Sequence, residues 1–376
     1  MKILHITKKY PAAIGGDSVV VSNLGRLQRS KGHQVTVLTS NCDDILDESN
    51  VRKFGLRDTA ASLDRITIKR LSSLALLIVK ARNVIARDRP DVIHTHSVDM
   101  AFAVSFSAHR SRVPIVHTFH IVTFHDKNQS IIKRNTELLL ARATNAAAIT
   151  APDLYDVLAL RNAGLHQATL MPNGIDLEYW KRPSHVSKAD PFTFIAVGRL
   201  EPQKGLEYLI RAAAILRSRV RHEFKVRIIG EGTLASSLRG LVRALDLQTC
   251  VSVEGRKSPV EVRASLEACH VAVFPSLYEA MPITLLEAWA MELPVISTPV
   301  GFFSDDCNSE LATLVQARSA ERLADAMAEH LGNRELRERL SAAGLHKVEE
   351  YSWNRIGLEV DNLYGRVVYA GVRGSD

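Results

Sequence analysis

The sequence has no apolar run long enough to cross a bilayer. Its longest, Leu74 to Val79, is six residues, against about 20 for a transmembrane helix. The opening Met1-Lys2-Ile3-Leu4-His5-Ile6 meets Lys8, Lys9 and Pro11 before any extended apolar stretch. It does not read as a secretory signal, and a cytoplasmic location is expected. Cysteine is scarce: Cys42, Cys250, Cys269 and Cys307 stand apart with no C-x-x-C spacing, which excludes a sequence-legible zinc site and a disulfide frame. No G-x-G-x-x-G occurs, which counts against a nicotinamide or flavin dehydrogenase. Aromatic residues make up 6% of the chain and do not interleave with its basic clusters, which counts against nucleic acid as a partner. There is no internal repeat and no low-complexity tract.

What is present is a soluble-type composition, 46% hydrophobic and 24% charged over 376 residues, with a formal net charge of +7. The length suits two or three domains, each able to bury its own core, and the charge suits an anionic partner. Within 52–89 the basic residues Arg52, Lys53, Arg57, Arg65, Lys69, Arg70, Lys80, Arg82, Arg87 and Arg89 face only Asp58, Asp64 and Asp88. This segment is either a solvated helix face or a peripheral contact with an anionic membrane surface.

Short apolar runs alternate with longer amphipathic stretches, the signature of βαβ units and parallel sheets. Strands are expected at Lys2–Thr7, Gln34–Thr39, Asp91–Thr95, Ile115–Thr118, Ala147–Thr150 and Ala168–Met171. A second series is expected at Thr193–Val197, Lys225–Ile229, Val251–Val253, Val271–Phe274 and Val295–Ser297. The join falls near Trp180–Pro191, where polar residues and prolines gather. Residues 1–180 thus form a first Rossmann-like domain and 192–352 a second. The last amphipathic stretch, from Trp353, is a helix available to brace one half against the other. In such sheets ligands bind beyond the carboxyl ends of the strands, so two facing domains make a cleft.

The residues just after strands carry the chemistry. Gly15 and Gly16 open a helix and can bring bare amides to an anion. Gly198-Arg199 and Lys204-Gly205 place two cations five residues apart on a strand-to-helix loop, a pair that can converge on phosphates. Gly230-Glu231-Gly232 and Gly255-Arg256 follow the next two strands and add flexible backbone at the same edge. The stretch Phe274 to Ala288 holds Glu279 in a loop, Pro282 at a helix start and Glu287 inside that helix. Two carboxylates eight residues apart cannot share one proton, and read as hydroxyl acceptors for two parts of one ligand. The amides near Ile283 and Thr284 offer a further anion site. In the first half, Ile93-His94-Thr95-His96 and Val116-His117-Thr118-Phe119-His120 end two strands, with His125 further on. Their spacing does not match a metal motif. His120, just past a strand end, suits substrate contact, whereas His94, His96 and His117 suit packing or hydrogen bonding.

Taken with Pro172-Asn173-Gly174-Ile175-Asp176 and Tyr351-Ser352-Trp353, these motifs resemble the retaining GT-B glycosyltransferases of family GT4 over nearly the whole chain. The resemblance implies an acceptor-binding domain over 1–180, with a helix at 353–376 packing back on it, and a nucleotide-sugar-binding domain over 192–352. It assigns the diphosphate to Arg199 and Lys204, ribose hydroxyls to Glu287 and donor-sugar hydroxyls to Glu279. Gly255 and Arg256 lie by the base, and Gly15 and Gly16 close over phosphate. Gly198, Gly230, Met281, Pro282, Ile283 and Thr284 complete the donor site, and His120 stands beside the reacting carbon. The implied reaction moves a hexosyl or N-acetylhexosaminyl group to a hydroxyl acceptor, small or lipid-linked, with retention and without a metal or other cofactor. UDP is the preferred nucleotide on family frequency, with GDP next. A nucleotide-sugar hydrolase or 2-epimerase, and a non-catalytic nucleotide-sugar-binding subunit, are the alternatives.

Two places depart from the family pattern. Phe302, Phe303, Ser304, Asp305 and Asp306 follow Gly301 where a second glycine and a glutamate are usual, and Glu292 stands where glycine is common. The metal-free reading makes a prediction: a chelator leaves turnover unchanged, and strong inhibition reversed by a divalent ion would refute it.

Overall fold

The computed structural model describes residues 1–10, 16–41, 50–54, 68–124, 126, 129–183, 188–305 and 307–373. Gly15, Cys42, His125 and Asp306 therefore lie outside the described residues, as does 55–67 of the basic segment. The chain divides into two units: Met1–Asn173 with Trp353–Asp376, and Gly174–Ser352.

Among the described residues the first unit carries a parallel sheet of seven strands: β1 (Lys2–Lys9), β2 (Gln34–Asn41), β3 (Val51–Lys53), β4 (Val92–Thr95), β5 (Ile115–Thr118), β6 (Ala148–Ala151) and β7 (Ala168–Leu170). Their order is β3-β2-β1-β4-β5-β6-β7. The second unit has six parallel strands: β8 (Phe192–Val197), β9 (Phe224–Ile229), β10 (Val251–Gly255), β11 (Val271–Phe274), β12 (Val295–Ser297) and β13 (Thr313–Leu314), in the order β10-β9-β8-β11-β12-β13. Both orders run outward from the first strand in one direction and then reverse, so each sheet has a switch point, β1/β4 in one and β8/β11 in the other. There the connections leave to opposite sides and open a crevice at the carboxyl edge.

Continuous burial of the strands explains their composition. β4, β5, β6 and β11 are buried along their whole length, as parallel strands covered on both faces must be. Leu4, Ile6, Ile93 and Ile115 pack with Leu77, Ala81, Val84 and Ile85 of the helix Ile68–Asp88. That helix buries one stripe and exposes Lys80, Arg82 and Arg87 on the other. In the second unit Trp289 is fully buried among Leu285, Phe302, Phe303 and Tyr351.

The unit boundary differs from the expected join. Residues 174–180, read from sequence as part of the first domain, pack with the second unit: Ile175 and Trp180 lie in its core. The Ile175 amide donates to the Tyr351 carbonyl at 2.8 Å. Both chain crossings thus occur at one level, and Trp353–Arg373 forms a helix that belongs to the first unit. Its Tyr364 is fully buried there against His94 and Gln28.

Candidate active site

At the β8/β11 switch point two loops are tied together. After β8 the chain runs through Gly198, Arg199 and a single 3-10 turn, Pro202–Lys204, ended by Gly205 in the left-handed region. After β11 it runs through Pro275, Ser276 and Glu279 to the helix Ile283–Ala290. The Lys204 Nζ and a Glu279 carboxylate oxygen form an ion pair across the gap. The same oxygen accepts from Ser276 Oγ at 3.2 Å. The Gln203 carbonyl accepts from the amides of Leu277 at 2.7 Å and Tyr278 at 3.3 Å. Arg199, exposed, joins Gly198, Lys204, Pro275 and Ser276 around a small pocket.

The neighbouring loops hold this edge in shape. A Cβ on Gly230 would stand 1.8 Å from the Gly198 carbonyl oxygen, so only glycine lets the ends of β8 and β9 approach so closely. The Gly230 amide donates to the Gly255 carbonyl at 2.8 Å, linking the end of β10 to the same ridge. Glu201 accepts from the Thr233 amide at 3.1 Å and hydroxyl at 2.6 Å. Arg256 is exposed beyond Gly255.

Glu287 has a different environment. The residue is partly exposed, and desolvation by the surrounding protein pushes its carboxyl pKa up to about 8. No side-chain partner for it occurs among the described residues. It stands one turn into a helix whose start, at Pro282, has no side-chain cap, so the Ile283 and Thr284 amides keep their donor capacity. Met281 and Pro282 are buried in the approach to it.

The departures from the family pattern are packing features. Phe302 and Phe303 are buried in a short helix, Phe302–Asp305, behind the Glu279 loop. The Phe302 amide donates to the Ala280 carbonyl at 3.2 Å. A Cβ on the preceding Gly301 would meet the Glu279 carbonyl oxygen at 1.8 Å. Glu292 has a φ of +57°, the left-handed region, which is why glycine suits that position.

In the first unit, the carboxyl edge around β1/β4 collects imidazoles. His5 pairs in register with His94 across β1 and β4, and His96 lies two residues on, so all three reach one face. They are buried. His120, half-buried just past β5, sits within 3.1 Å of His96. Burial lowers its pKa, and the Asp17 charge in the first turn of the helix Gly16–Ser30 opposes that shift. His117 points to other partners, bonding the Thr95 hydroxyl at 2.9 Å. The loop after His120 is fastened by carboxylates the sequence did not flag. The Val122 amide donates to Asp156 at 3.0 Å, and the Thr123 amide and hydroxyl donate to Glu137, each at 2.8 Å.

Of the sequence-read residues, the structure groups Gly198, Arg199, Lys204, Gly230, Gly255, Glu279 and the Met281–Glu287 stretch at one sheet edge. Gly16 opens its helix in the first unit, where His120 also lies. Glu201, Thr233, Asp156, Glu137 and Asp17 were missed, since a polar residue whose partner lies on a distant segment gives no local signal. A larger cavity bounded by Arg29, Arg52, Arg87 and Asp88 lies at the opposite, amino-terminal edge of the first sheet, near Lys2 and Gln34.

Two parallel, doubly wound units with paired loops at a switch point define a GT-B protein, and the comparisons agree. The model "Glycosyltransferase Family 4" matches residues 14–179, and "Glycosyl transferases group 1" matches 180–347. The chain belongs to this glycosyltransferase family and is a glycosyltransferase. The glycogen synthase of Mycobacterium tuberculosis is 26% identical, covering 97% of this chain and 94% of its own. The UDP-Gal:alpha-D-GlcNAc-diphosphoundecaprenol alpha-1,3-galactosyltransferase of Escherichia coli is 28% identical over 67% of each. The solved sucrose-phosphate synthase of Thermosynechococcus elongatus superposes with a TM-score of 0.85 at 23% identity, covering 98% of this chain and 99% of that one. No helix among the described residues is long and apolar enough to cross a membrane.

The raised Glu287 pKa makes stability pH-dependent. The folded pKa of about 8 lies above the ordinary glutamate value of 4.5, so as pH rises between these limits the unfolded chain releases a proton that the folded chain keeps. Stability from this group therefore falls with rising pH, by up to about tenfold in the unfolding equilibrium per pH unit. Denaturant melts at pH 5, 6.5 and 8 should show wild type losing ground to Glu287→Gln over that window. A constant difference would contradict the raised pKa.

Proposed function

We propose that the chain is a retaining, metal-independent transferase that moves a hexosyl or N-acetylhexosaminyl group from a nucleoside-diphosphate sugar to a hydroxyl. The observation that carries this reading is the switch-point arrangement. The Lys204–Glu279 pair stands beside exposed Arg199, and on the adjoining helix Glu287, its pKa raised by desolvation, has no side-chain partner among the described residues. A diphosphate supplies the anion that draws Lys204 and Arg199 together and releases Glu279 to accept sugar hydroxyls. A ribose diol supplies the donors that Glu287 lacks, and its binding favours the ionised carboxyl. The Ile283 and Thr284 amides add donors for phosphate, while Gly255 and Arg256 border the base. Gly15 and Gly16 contribute phosphate contacts from the first unit, and His120 contacts the sugar there.

The chemistry needs charge stabilisation rather than a protein nucleophile. The anomeric C–O bond breaks with its electron pair going to the departing diphosphate oxygen. Lys204, Arg199 and the helix amides stabilise that charge more in the transition state than in the bound donor. The acceptor hydroxyl forms the new bond from the same face and gives its proton to the departing phosphate oxygen, which conserves the configuration. The UDP-sugar named for the Escherichia coli relative supports UDP as the nucleotide. That relative's diphosphoundecaprenol acceptor supports a lipid-linked acceptor, as does the basic 52–89 segment with exposed Lys80, Arg82 and Arg87. A small soluble acceptor fits the same machinery.

The test is transfer from α-linked UDP-sugars to an acceptor panel, with the product anomer read by NMR. Glu279→Ala and Lys204→Ala should each lower kcat by about 100-fold or more with native circular dichroism. An inverted product, release of free sugar without acceptor, or near-normal rates in either variant would overturn the reading.

A further inference from the structure

Four side chains form a continuous hydrogen-bonded line from the core of the first unit to His120. The Gln28 carboxamide sets its direction. Its oxygen accepts from His5 Nε2 at 2.8 Å, and its nitrogen faces the Tyr364 hydroxyl at 3.4 Å. His5 therefore carries its proton on Nε2 and turns a lone pair on Nδ1 toward His96 Nε2, 3.0 Å away. His96 must then be protonated on Nε2 and accept through Nδ1 from His120 Nε2, 3.1 Å away. The rings lie nearly parallel along this line, His5 to His96 at 25° and His96 to His120 at 24°.

The line works because its members are neutral. Burial holds His5 at about 4 and His96 well below the ordinary histidine value, and lowers His120 as well. A neutral imidazole has one N–H and one lone pair, so each ring dictates the next. A second branch keeps the same order: the Tyr364 hydroxyl bonds His94 Nδ1 at 2.6 Å, and His94 Nε2 bonds the Thr118 hydroxyl at 2.7 Å.

We infer that Gln28, His5 and His96 are positioning residues that fix His120 as the Nε2–H tautomer and leave its Nδ1 a hydrogen-bond acceptor for a ligand hydroxyl. His120 Nδ1 has no partner among the described residues, so the acceptor is available. A lone pair there welcomes a sugar or acceptor hydroxyl and repels an anionic oxygen, which selects a hydroxyl rather than a phosphate at this point. His5, His94 and His96 present nitrogens close enough for a metal ion. Both nitrogens of each ring are already hydrogen-bonded, however, and a metal would have to sever the line.

The functional half of this inference rests on the proposed sugar contact of His120; the tautomer does not. The experiment is nitrogen-15 imidazole NMR on the full chain near neutral pH, with His120 assigned through His120→Ala, alongside steady-state kinetics. Wild type should show His120 protonated on Nε2. His96→Leu should mix the tautomers and lower kcat about 10- to 100-fold, the usual cost of losing a histidine's orienting partner, with donor KM within about twofold. His96→Asn should restore one tautomer and most of kcat, because its side-chain oxygen replaces Nδ1 as acceptor. Gln28→Leu tests the line from its far end should His96→Leu fail to fold. An Nδ1–H signal in wild type would overturn the proposal without any variant. So would an unchanged tautomer in His96→Leu, or stoichiometric metal that His96→Leu loses. Normal turnover in His120→Ala with the expected wild-type tautomer would remove the sugar contact and leave the line intact.

Discussion

The ion pair between Lys204 and Glu279 is the contact on which the second unit's functional edge depends. It joins the loop after β8 to the loop after β11 across the one place where the sheet order reverses. Both groups are largely screened from solvent, with side-chain exposures of 15% and 9%. Burying two charges costs desolvation, and a close pair with an added Ser276 hydrogen bond offsets it. Separating them without replacement is unfavourable, so an incoming ligand must satisfy both. A diphosphate linked to a hydroxyl-rich sugar does so, which connects the unliganded geometry to the proposed donor class.

The same logic places the remaining groups. Glu287 is partly desolvated with no side-chain partner among the described residues, a cost retained where a ligand can relieve it. The glycine contact between the ends of β8 and β9, and the seat of Gly301 behind Glu279, bring backbone to the edge at distances no side chain permits. In the first unit the economy differs. Charge is avoided by neutral imidazoles, and carboxyls at Glu137 and Asp156 are used to pin the loop beyond His120. One edge carries Lys204 and Arg199, the other buried imidazoles.

Much of this was legible in the sequence because parallel strands buried on both faces read as apolar runs. Ile115–Thr118, Val271–Phe274 and Val295–Ser297 were placed to the residue and the other expected strands within one or two, while β3 and β13 were not expected. The residues proposed for the site stood out because they follow those strands directly. What escaped has physical reasons. β3 is three residues long and half-exposed, so it leaves no apolar pattern. The boundary was drawn at the polar linker near 180–191, whereas the chain changes unit at Asn173, where Ile175 bonds across to Tyr351, a pairing between residues far apart in sequence. Phe302 and Phe303 read as a departure from the family pattern, and both are buried in the second unit's core. The tautomer line through Gln28 needs a helix, two strands and the C-terminal helix to meet, which no local window contains.

The most direct test of the account is a thermal-shift screen of the purified chain against UDP-, GDP-, ADP- and dTDP-sugars, repeated with Arg199→Ala. The account predicts stabilisation by one nucleotide class, with UDP expected, at ligand well above Kd, and its loss in the variant. Equal shifts in wild type and Arg199→Ala, or no shift with any nucleotide sugar, would contradict a donor site at the β8/β11 switch point.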